Sequence, residues 1–86
     1  MIQVIKKDGT LEDFNINKVV SAISKSAYRA LVKFTDEEIN NICNYVEKRV
    51  KEEMVDDKVT VPMMHNIVES ALEKVKPEVA KSYKDY

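Results

Sequence analysis

The chain has 86 residues, a length that suits one domain rather than two. Its 14 basic and 15 acidic residues give a net charge of −1, so the basic excess typical of nucleic-acid-binding proteins is absent overall. The single cysteine cannot form an internal disulfide, and no apolar run approaches the ~18 residues of a membrane span. These features predict a cytoplasmic domain without a membrane or nucleic-acid partner, in which any anion site must be local.

The N-terminal residues have the pattern of a β-hairpin. Residues 2–5 and 11–14 form two short apolar runs, and Asp8-Gly9 lies between them. Asp-Gly between strand-like runs is typical of a type I′ turn, in which both central residues have positive φ. Gly9 is the chain's single glycine, and glycine adopts positive φ without steric cost. The sequence therefore predicts a hairpin with a type I′ turn at Asp8 and Gly9.

Two long segments with helical periodicity follow the hairpin. The first is predicted to begin at Asn15 or Asn17, which suit an N-cap, and its apolar face continues to about Leu31. The second begins at Thr35, because Glu38 three residues later completes the pattern of a capping box. The apolar faces consist of Ile16, Val19, Val20, Ile23 and Ala27 in the first segment, and of Ile39, Ile42, Cys43, Val46, Val50 and Met54 in the second.

A β-branched run and two further helical segments complete the chain. Asp56-Asp57 ends the second helix, and residues 58–61 predict a strand that could join the hairpin. Pro62 and Pro77 suit the first positions of a third and a fourth helix. Their apolar faces consist of Met64, Ile67, Val68, Ala71, Leu72 and Val75, and of Val79, Ala80, Tyr83 and Tyr86. The order of elements predicts a mostly helical α+β fold. Because the last pattern stops without a cap, we expect a fragment of a longer protein.

Catalytic chemistry finds little support in the sequence. The chain has one histidine and one cysteine, no metal-ligand spacing and no glycine-rich phosphate loop. Cys43 lies on the apolar face of its helix, which favours a buried structural thiol over a nucleophile paired with His65. Met54, Met63 and Met64 are interpreted as core residues. We expect no active site.

The charged residues around the hairpin are more informative. Lys6 and Lys7 precede the turn, and Lys18 lies in the first turn of the next helix, where the helix dipole disfavours a cation. Exposed N–H groups at a helix N-terminus and nearby lysines together form a ready anion site. The alternative is that these lysines only keep an exposed strand edge soluble. His65 is likewise either a surface residue or a polar contact to a ligand held between the hairpin and the third helix.

The same residues resemble a known family. Val4-Ile5-Lys6-Lys7-Asp8-Gly9, followed by Glu12-x-Phe14-x-x-x-Lys18, resembles the opening signature of the ATP-cone family, and residues 59–69 and 79–86 resemble its later signatures. The resemblance covers essentially the whole chain. It departs from the family at Lys7, where arginine is usual, so that a point charge replaces a bidentate phosphate contact.

The resemblance implies one allosteric domain over residues 1–86, with a small sheet of a hairpin and a third strand over a four-helix bundle. Such a domain binds ATP or dATP as effector, and Mg²⁺ can accompany the nucleotide. ATP permits activity and dATP stops it, often through a change in oligomeric state. The context we expect is an anaerobic, class III ribonucleoside-triphosphate reductase, a ribonucleotide reductase in deoxyribonucleotide synthesis. The partners would be adenine nucleotides, the reductase's catalytic body and further copies of the cone.

The resemblance also implies which residues bind the nucleotide. The lysines would contact phosphates, and Glu12, Asn15 and His65 would contact the base or the sugar. The nucleotide-contacting positions are Val4, Lys6, Lys7, Glu12, Asn15, Lys18 and His65. The family places a further basic contact beyond residue 86.

Two alternatives to the reductase remain. The first is the ATP-cone of a transcriptional repressor of reductase genes, in which a zinc-containing, DNA-reading module precedes the cone. The start at Met1 and the slightly acidic composition favour the reductase. The second is a helical interaction domain without a ligand, which a titration with ATP would distinguish from the other two.

Overall fold

The computed structural model describes residues 1–85, which form three short strands and four helices. In chain order these are β1 (Gln3–Ile5), β2 (Leu11–Asp13), α1 (Ile16–Arg29), α2 (Asp36–Glu53), β3 (Lys58–Thr60), α3 (Val61–Val75) and α4 (Pro77–Lys84). The predicted α+β order is therefore confirmed. Tyr86, predicted at the end of the last apolar face, lies outside the described residues. No helix within residues 1–85 combines the length and the hydropathy needed to cross a membrane.

The hairpin is present, but its turn differs from the prediction. Within the turn, positive φ occurs at Gly9 (86°), and Asp8 is not among the residues with positive φ. Gly9 N donates to Lys6 O at 2.9 Å and Lys6 N donates to Thr10 O at 2.9 Å, so Gly9 forms a bulge after a tight turn. Asp8 accepts hydrogen bonds from the Thr10 hydroxyl and N–H, at 2.6 and 3.0 Å, which stabilise its negative φ and lower its pKa. The prediction of a type I′ turn at this position was wrong.

Two consecutive residues with positive φ occur instead between α2 and β3. Asp56 and Asp57 have φ of 53° and 59°, and the flanking residues Val55 and Lys58 exchange two backbone hydrogen bonds of 2.9 and 3.0 Å. A two-residue loop with positive φ at both positions is the type I′ arrangement. Aspartate tolerates this conformation better than most non-glycine residues. The predicted break after α2 is therefore a tight hairpin turn that leads directly into β3.

Helix α1 begins at the first of its two predicted N-caps but ends earlier than its apolar pattern suggests. Asn15 is the N-cap, and its side chain accepts from Asn17 N at 2.9 Å. At the other end, Leu31 adopts a φ of 58° and is 94% exposed. Its N–H and that of Val32 bond back to carbonyls of the last turn, which is a Schellman motif. This motif turns Leu31 outward and Val32 toward the core, so the apolar face does not continue to Leu31.

The predicted cap of α2 and the predicted third strand are both confirmed. Thr35 and Glu38 exchange the two hydrogen bonds of a capping box. Strand β3 pairs in parallel with β1, so that Ile5 lies beside Thr60, and the strand order is β2-β1-β3. Thr60 then caps α3, because its hydroxyl accepts from Met63 N at 3.2 Å. The N-terminus of α3 is thereby fixed next to the end of β1.

The core lies between the sheet and the four helices, which pack mainly as the pairs α2–α3, α3–α4 and α1–α4. The fully buried apolar residues are Val19, Ile23, Ala27, Ile42, Val46, Val50, Val59, Ile67, Val68, Ala71, Leu72, Val79 and Ala80. Each helical member belongs to a predicted apolar face. Met54, Met63 and Met64 pack against this core, as the sequence indicates.

We expect Gly9→Val to lower the free energy of unfolding by about 1–3 kcal/mol, because a β-branched residue is strained at positive φ. No heavy atom outside Gly9 and its two chain neighbours lies within 4 Å of the position of a Cβ at Gly9, so the cost is conformational and not a steric clash. Gly9→Asn is the matched control, since asparagine tolerates the left-handed region and should retain most of the stability. Urea denaturation measures both. A valine variant that unfolds at the parent's urea concentration would show that the bulge conformation is wrong.

Candidate functional site

The inner face of the sheet, turned toward the helices, carries two of the predicted residues. Val4 of β1 lies opposite Glu12 of β2 and beside Val59 of β3. Paired residues on neighbouring strands share a face, and Val59 is buried in the core. Val4 and Glu12 therefore point to the helical side. Val4 packs against the core, whereas Glu12 lies on the edge strand and stays partly exposed.

Two of the predicted lysines converge on Glu12. Lys6, just after β1, places its Nζ 3.5 Å from Glu12 Oε2, and Lys18 of α1 forms an ion pair with the other carboxylate oxygen. The two lysine side chains are 50% and 63% exposed. At such exposure an ion pair contributes only about 0–1 kcal/mol. The cluster therefore positions two cations beside one another more than it stabilises the fold.

The carboxylate also accounts for the unusual place of Lys18. A cation in the first turn of a helix meets the positive end of the dipole, which is unfavourable. Glu12 reaches this turn from β2 and supplies the compensating negative charge. If an anionic ligand replaced the Glu12 carboxylate, it would meet both lysines and the N-terminus of α1 together.

A groove of about 630 Å³ lies beside this cluster, within the range of small-molecule sites. Its lining includes Glu12, Asn15 and Lys18 of the predicted site, and the complete set is Met1, Glu12, Asp13, Phe14, Asn15, Ile16, Lys18 and Glu47. Three carboxylates and one lysine make the groove unfavourable for a phosphate but suitable for the neutral donors of a base or a sugar. The other five lining residues were not predicted, and Glu47 lies on α2, which no sequence pattern links to the hairpin.

Two predicted residues have other surroundings. Lys7 lies in the exposed turn, one residue beyond Lys6. Asn15 uses its side-chain oxygen for the helix cap, so its amide N–H groups are the part suited to a ligand. The structure thus brings Lys6, Glu12 and Lys18 into direct contact, with Asn15 at the adjacent groove.

His65 lies one turn into α3, and its ring contacts side chains of α3 and α4. Its ring stacks on Tyr83 of α4, with centroids 4.6 Å apart and an interplanar angle of 23°. Its Nε2 lies 3.9 Å from the carboxylate of Glu69, one turn further along α3. The sequence placed Tyr83 on the apolar face of the fourth helix, and Tyr83 does pack against the core. No sequence pattern indicated that its ring partner is His65.

Cys43 is only half-buried, although a buried thiol was predicted. Its helix turns the neighbouring apolar residue Ile42 fully inward, so Cys43 occupies the margin of the apolar face. Desolvation, together with the charge of Glu47, raises the pKa of the thiol and keeps it protonated at neutral pH. Within residues 1–85, no three Asp, Glu, His or Cys side chains are grouped so as to hold a metal ion.

Comparison with known proteins gives one family and one kind of relative. A family model described as "ATP cone domain" matches residues 2–86. The chain is also similar to proteins named "Transcriptional repressor NrdR" from Streptococcus equi subsp. zooepidemicus, strains MGCS10565 and H70, and from Streptococcus equi subsp. equi, strain 4047. Each is 32% identical over 89 aligned residues, which cover 95% of this chain and 52% of the relative. The chain therefore spans about half the length of these curated relatives.

We expect Glu12→Gln to increase the affinity for inorganic tripolyphosphate, which has neither base nor sugar, by about twofold to fivefold. The substitution preserves the shape of the side chain but removes the charge that competes for Lys6 and Lys18. Calorimetry at low salt measures the effect. Glu78→Gln, at an exposed position on α4, is the control with the same change in net charge. An unchanged affinity in the first variant, or an equal gain in the control, would contradict the role of Glu12.

Proposed function

The chain belongs to the ATP-cone family, and from this membership we propose that it senses adenine nucleotides by binding ATP or dATP at the cluster of Lys6, Glu12 and Lys18. An ATP-cone is a regulatory domain without a catalytic site, so its output is a change in the state of a larger protein. The function is therefore a binding equilibrium that reports the balance of the two nucleotides.

The observation that carries this proposal is the meeting of Lys6 and Lys18 at the Glu12 carboxylate. These lysines come from a strand turn and from a helix, and a carboxylate holds both of them at the N-terminus of α1. A triphosphate carries more negative charge than a carboxylate and offers more acceptor oxygens. It can therefore displace Glu12 from the lysines and gain charge-assisted hydrogen bonds.

The arrangement of charges suggests how the nucleotide is oriented. The phosphates would lie at Lys6, Lys7 and Lys18, where positive charge is concentrated. The base or the ribose would occupy the adjacent groove, where Asn15 and the released Glu12 carboxylate offer a donor and an acceptor. His65 would complete the site from α3. Any Mg²⁺ would arrive with the triphosphate.

The larger protein in which the cone works is better indicated by its relatives than by its composition. We expected a ribonucleotide reductase, but the similarity to proteins named transcriptional repressors favours the alternative. The same similarity argues against the expectation that the whole protein has no nucleic-acid partner. With its net charge of −1, this domain would supply the nucleotide signal, and DNA contacts would fall to another part of such a repressor.

The natural full-length gene product distinguishes the two contexts. A repressor would bind a double-stranded DNA fragment from the genome of its own organism and retard it in an electrophoretic mobility assay. ATP or dATP would change the amount of DNA that is bound. A reductase subunit would instead support nucleotide-dependent reduction of ribonucleoside triphosphates. Calorimetric titration of the 86-residue chain with ATP, with GTP as the comparison, tests the nucleotide site itself. Absence of any heat of binding with ATP would favour a helical interaction domain without a ligand.

We expect Lys6→Ala and Lys18→Ala each to weaken ATP binding by about 1–3 kcal/mol, the range for a charge-assisted hydrogen bond. The control is Lys33→Ala, because this exposed lysine follows the opposite end of α1 from Lys18 and should leave the affinity unchanged. Circular dichroism confirms that each variant folds. Unchanged ATP affinity in both Lys6→Ala and Lys18→Ala would show that the phosphates do not bind at this cluster.

We expect ATP and dATP to bind the chain with affinities within about tenfold, or about 1.4 kcal/mol, of each other. They differ by one ribose hydroxyl, which phosphate contacts cannot detect. Opposite outputs would then arise from assembled states that the two nucleotides stabilise differently, since a ligand shifts an equilibrium only by its differential affinity. Competition binding measures the ratio. A preference of a hundredfold or more would place the discrimination within this domain, at Glu12, Asn15 or His65.

A further inference from the structure

The contact between His65 and Tyr83 joins α3 to the last helix of the chain. The two rings are nearly parallel, and their centroid separation of 4.6 Å is at the short end of the range for stacked aromatic pairs. Tyr83 is half-buried, and its desolvation, with the charge of Glu69, raises the pKa of the phenol, so the ring stays neutral at physiological pH. The stack is therefore a packed contact between two ordered side chains.

This stack limits the freedom of the His65 ring. The imidazole is held by Tyr83 on one face, and its Nε2 lies 3.9 Å from the Glu69 carboxylate. A side chain that is already ordered loses less rotamer entropy when a ligand engages it. His65 remains 40% exposed, so its ring is oriented but still accessible.

Helix α4 also contacts the helix that carries Lys18. The Ser82 hydroxyl, next to Tyr83, donates a 3.0 Å hydrogen bond to the backbone carbonyl of the buried Ser26 in α1. Val79 and Ala80 of α4 are buried in the common core. The helix therefore packs against both α1 and α3, whose N-terminal halves carry Lys18 and His65.

We propose that Tyr83 is a positioning residue, which orients His65 for the nucleotide and thereby couples the docking of α4 to nucleotide binding. This inference rests on the proposed function, in which His65 contacts the base or the sugar. Because coupling between sites is reciprocal, a nucleotide that engages the oriented His65 also stabilises the stack and the packing of α4. Helix α4 then senses occupancy of the site through the contact of Tyr83 with His65.

The experiment is a double-mutant cycle read by ATP affinity. Tyr83→Leu removes the stacked ring and should weaken ATP binding by about threefold to tenfold, whereas Tyr83→Phe retains the ring and should stay within twofold. In a His65→Ala background, Tyr83→Leu should cause no further loss, because Tyr83 acts through His65. Tyr28→Leu, at a tyrosine that is 82% exposed on α1, is the matched control and should have no effect.

Proton NMR gives a second readout that does not depend on ATP. His65 is the chain's single histidine, so its ring protons are identified directly, and the Tyr83 ring current should displace them from random-coil positions. That displacement should be retained in Tyr83→Phe and lost in Tyr83→Leu. If the leucine variant fails to fold, Tyr83→Met replaces it as a flexible apolar residue of similar length.

The outcomes separate this inference from the proposed function. The positioning role of Tyr83 is supported if Tyr83→Leu weakens ATP binding in the parent but causes no further loss in the His65→Ala background, and if Tyr83→Phe retains the affinity. If the parent binds ATP and Tyr83→Leu binds equally well, or loses affinity to the same extent without His65, the positioning role is overturned while the nucleotide site stands. The parent could show the displaced His65 signals that the Tyr83 stack predicts and still bind no adenine nucleotide. In that case the proposed function fails, and this inference fails with it.

Discussion

The parallel pairing of β1 with β3 is the constraint on which the rest of the molecule depends. Two strands alone are marginal in water, and the hairpin gains its third strand from a segment that lies more than fifty residues beyond β1 in the chain. The same pairing fixes Thr60, and with it the N-terminus of α3, beside the end of β1. The connection between the two strands contains β2, α1 and α2, and buried residues of both helices share one core with Val59 of β3. The sheet and the position of α3 thus follow from this register, whereas the candidate site also depends on the register of β1 with β2.

The candidate site shows how a chain without a basic excess can still group cations locally in a way that suits an anion. Lys6 and Lys18 are brought together although like charges repel, because the Glu12 carboxylate lies between them. Glu12 faces the helices since it lies opposite Val4 in the hairpin register. If a phosphate bound in place of this carboxylate, it would meet cations that are already close together. The cost is competition between ligand and carboxylate, which favours a sensor of moderate affinity over a tight binder.

Helix α4 gives the site a connection to the rest of the domain. The cluster around Glu12 and the His65 side chain lie on other elements than α4. Helix α4 contacts α1 through Ser82 and α3 through Tyr83. A regulatory domain needs such an element, because a bound nucleotide must favour one packing of the domain over another.

Local chemistry was enough to predict the hairpin, the capping box of Thr35 and Glu38, the cap at Asn15 and the apolar faces of all four helices, because each depends on residues a few positions apart. Local chemistry did not predict two backbone details: positive φ at two consecutive residues occurs at Asp56-Asp57 and not at Asp8-Gly9, and Leu31 turns outward in a Schellman motif. The tertiary structure alone decided that Lys6 and Lys18 share Glu12 and that His65 stacks on Tyr83. These contacts join residues from different elements, and their geometry depends on strand register and helix packing, which no local pattern encodes.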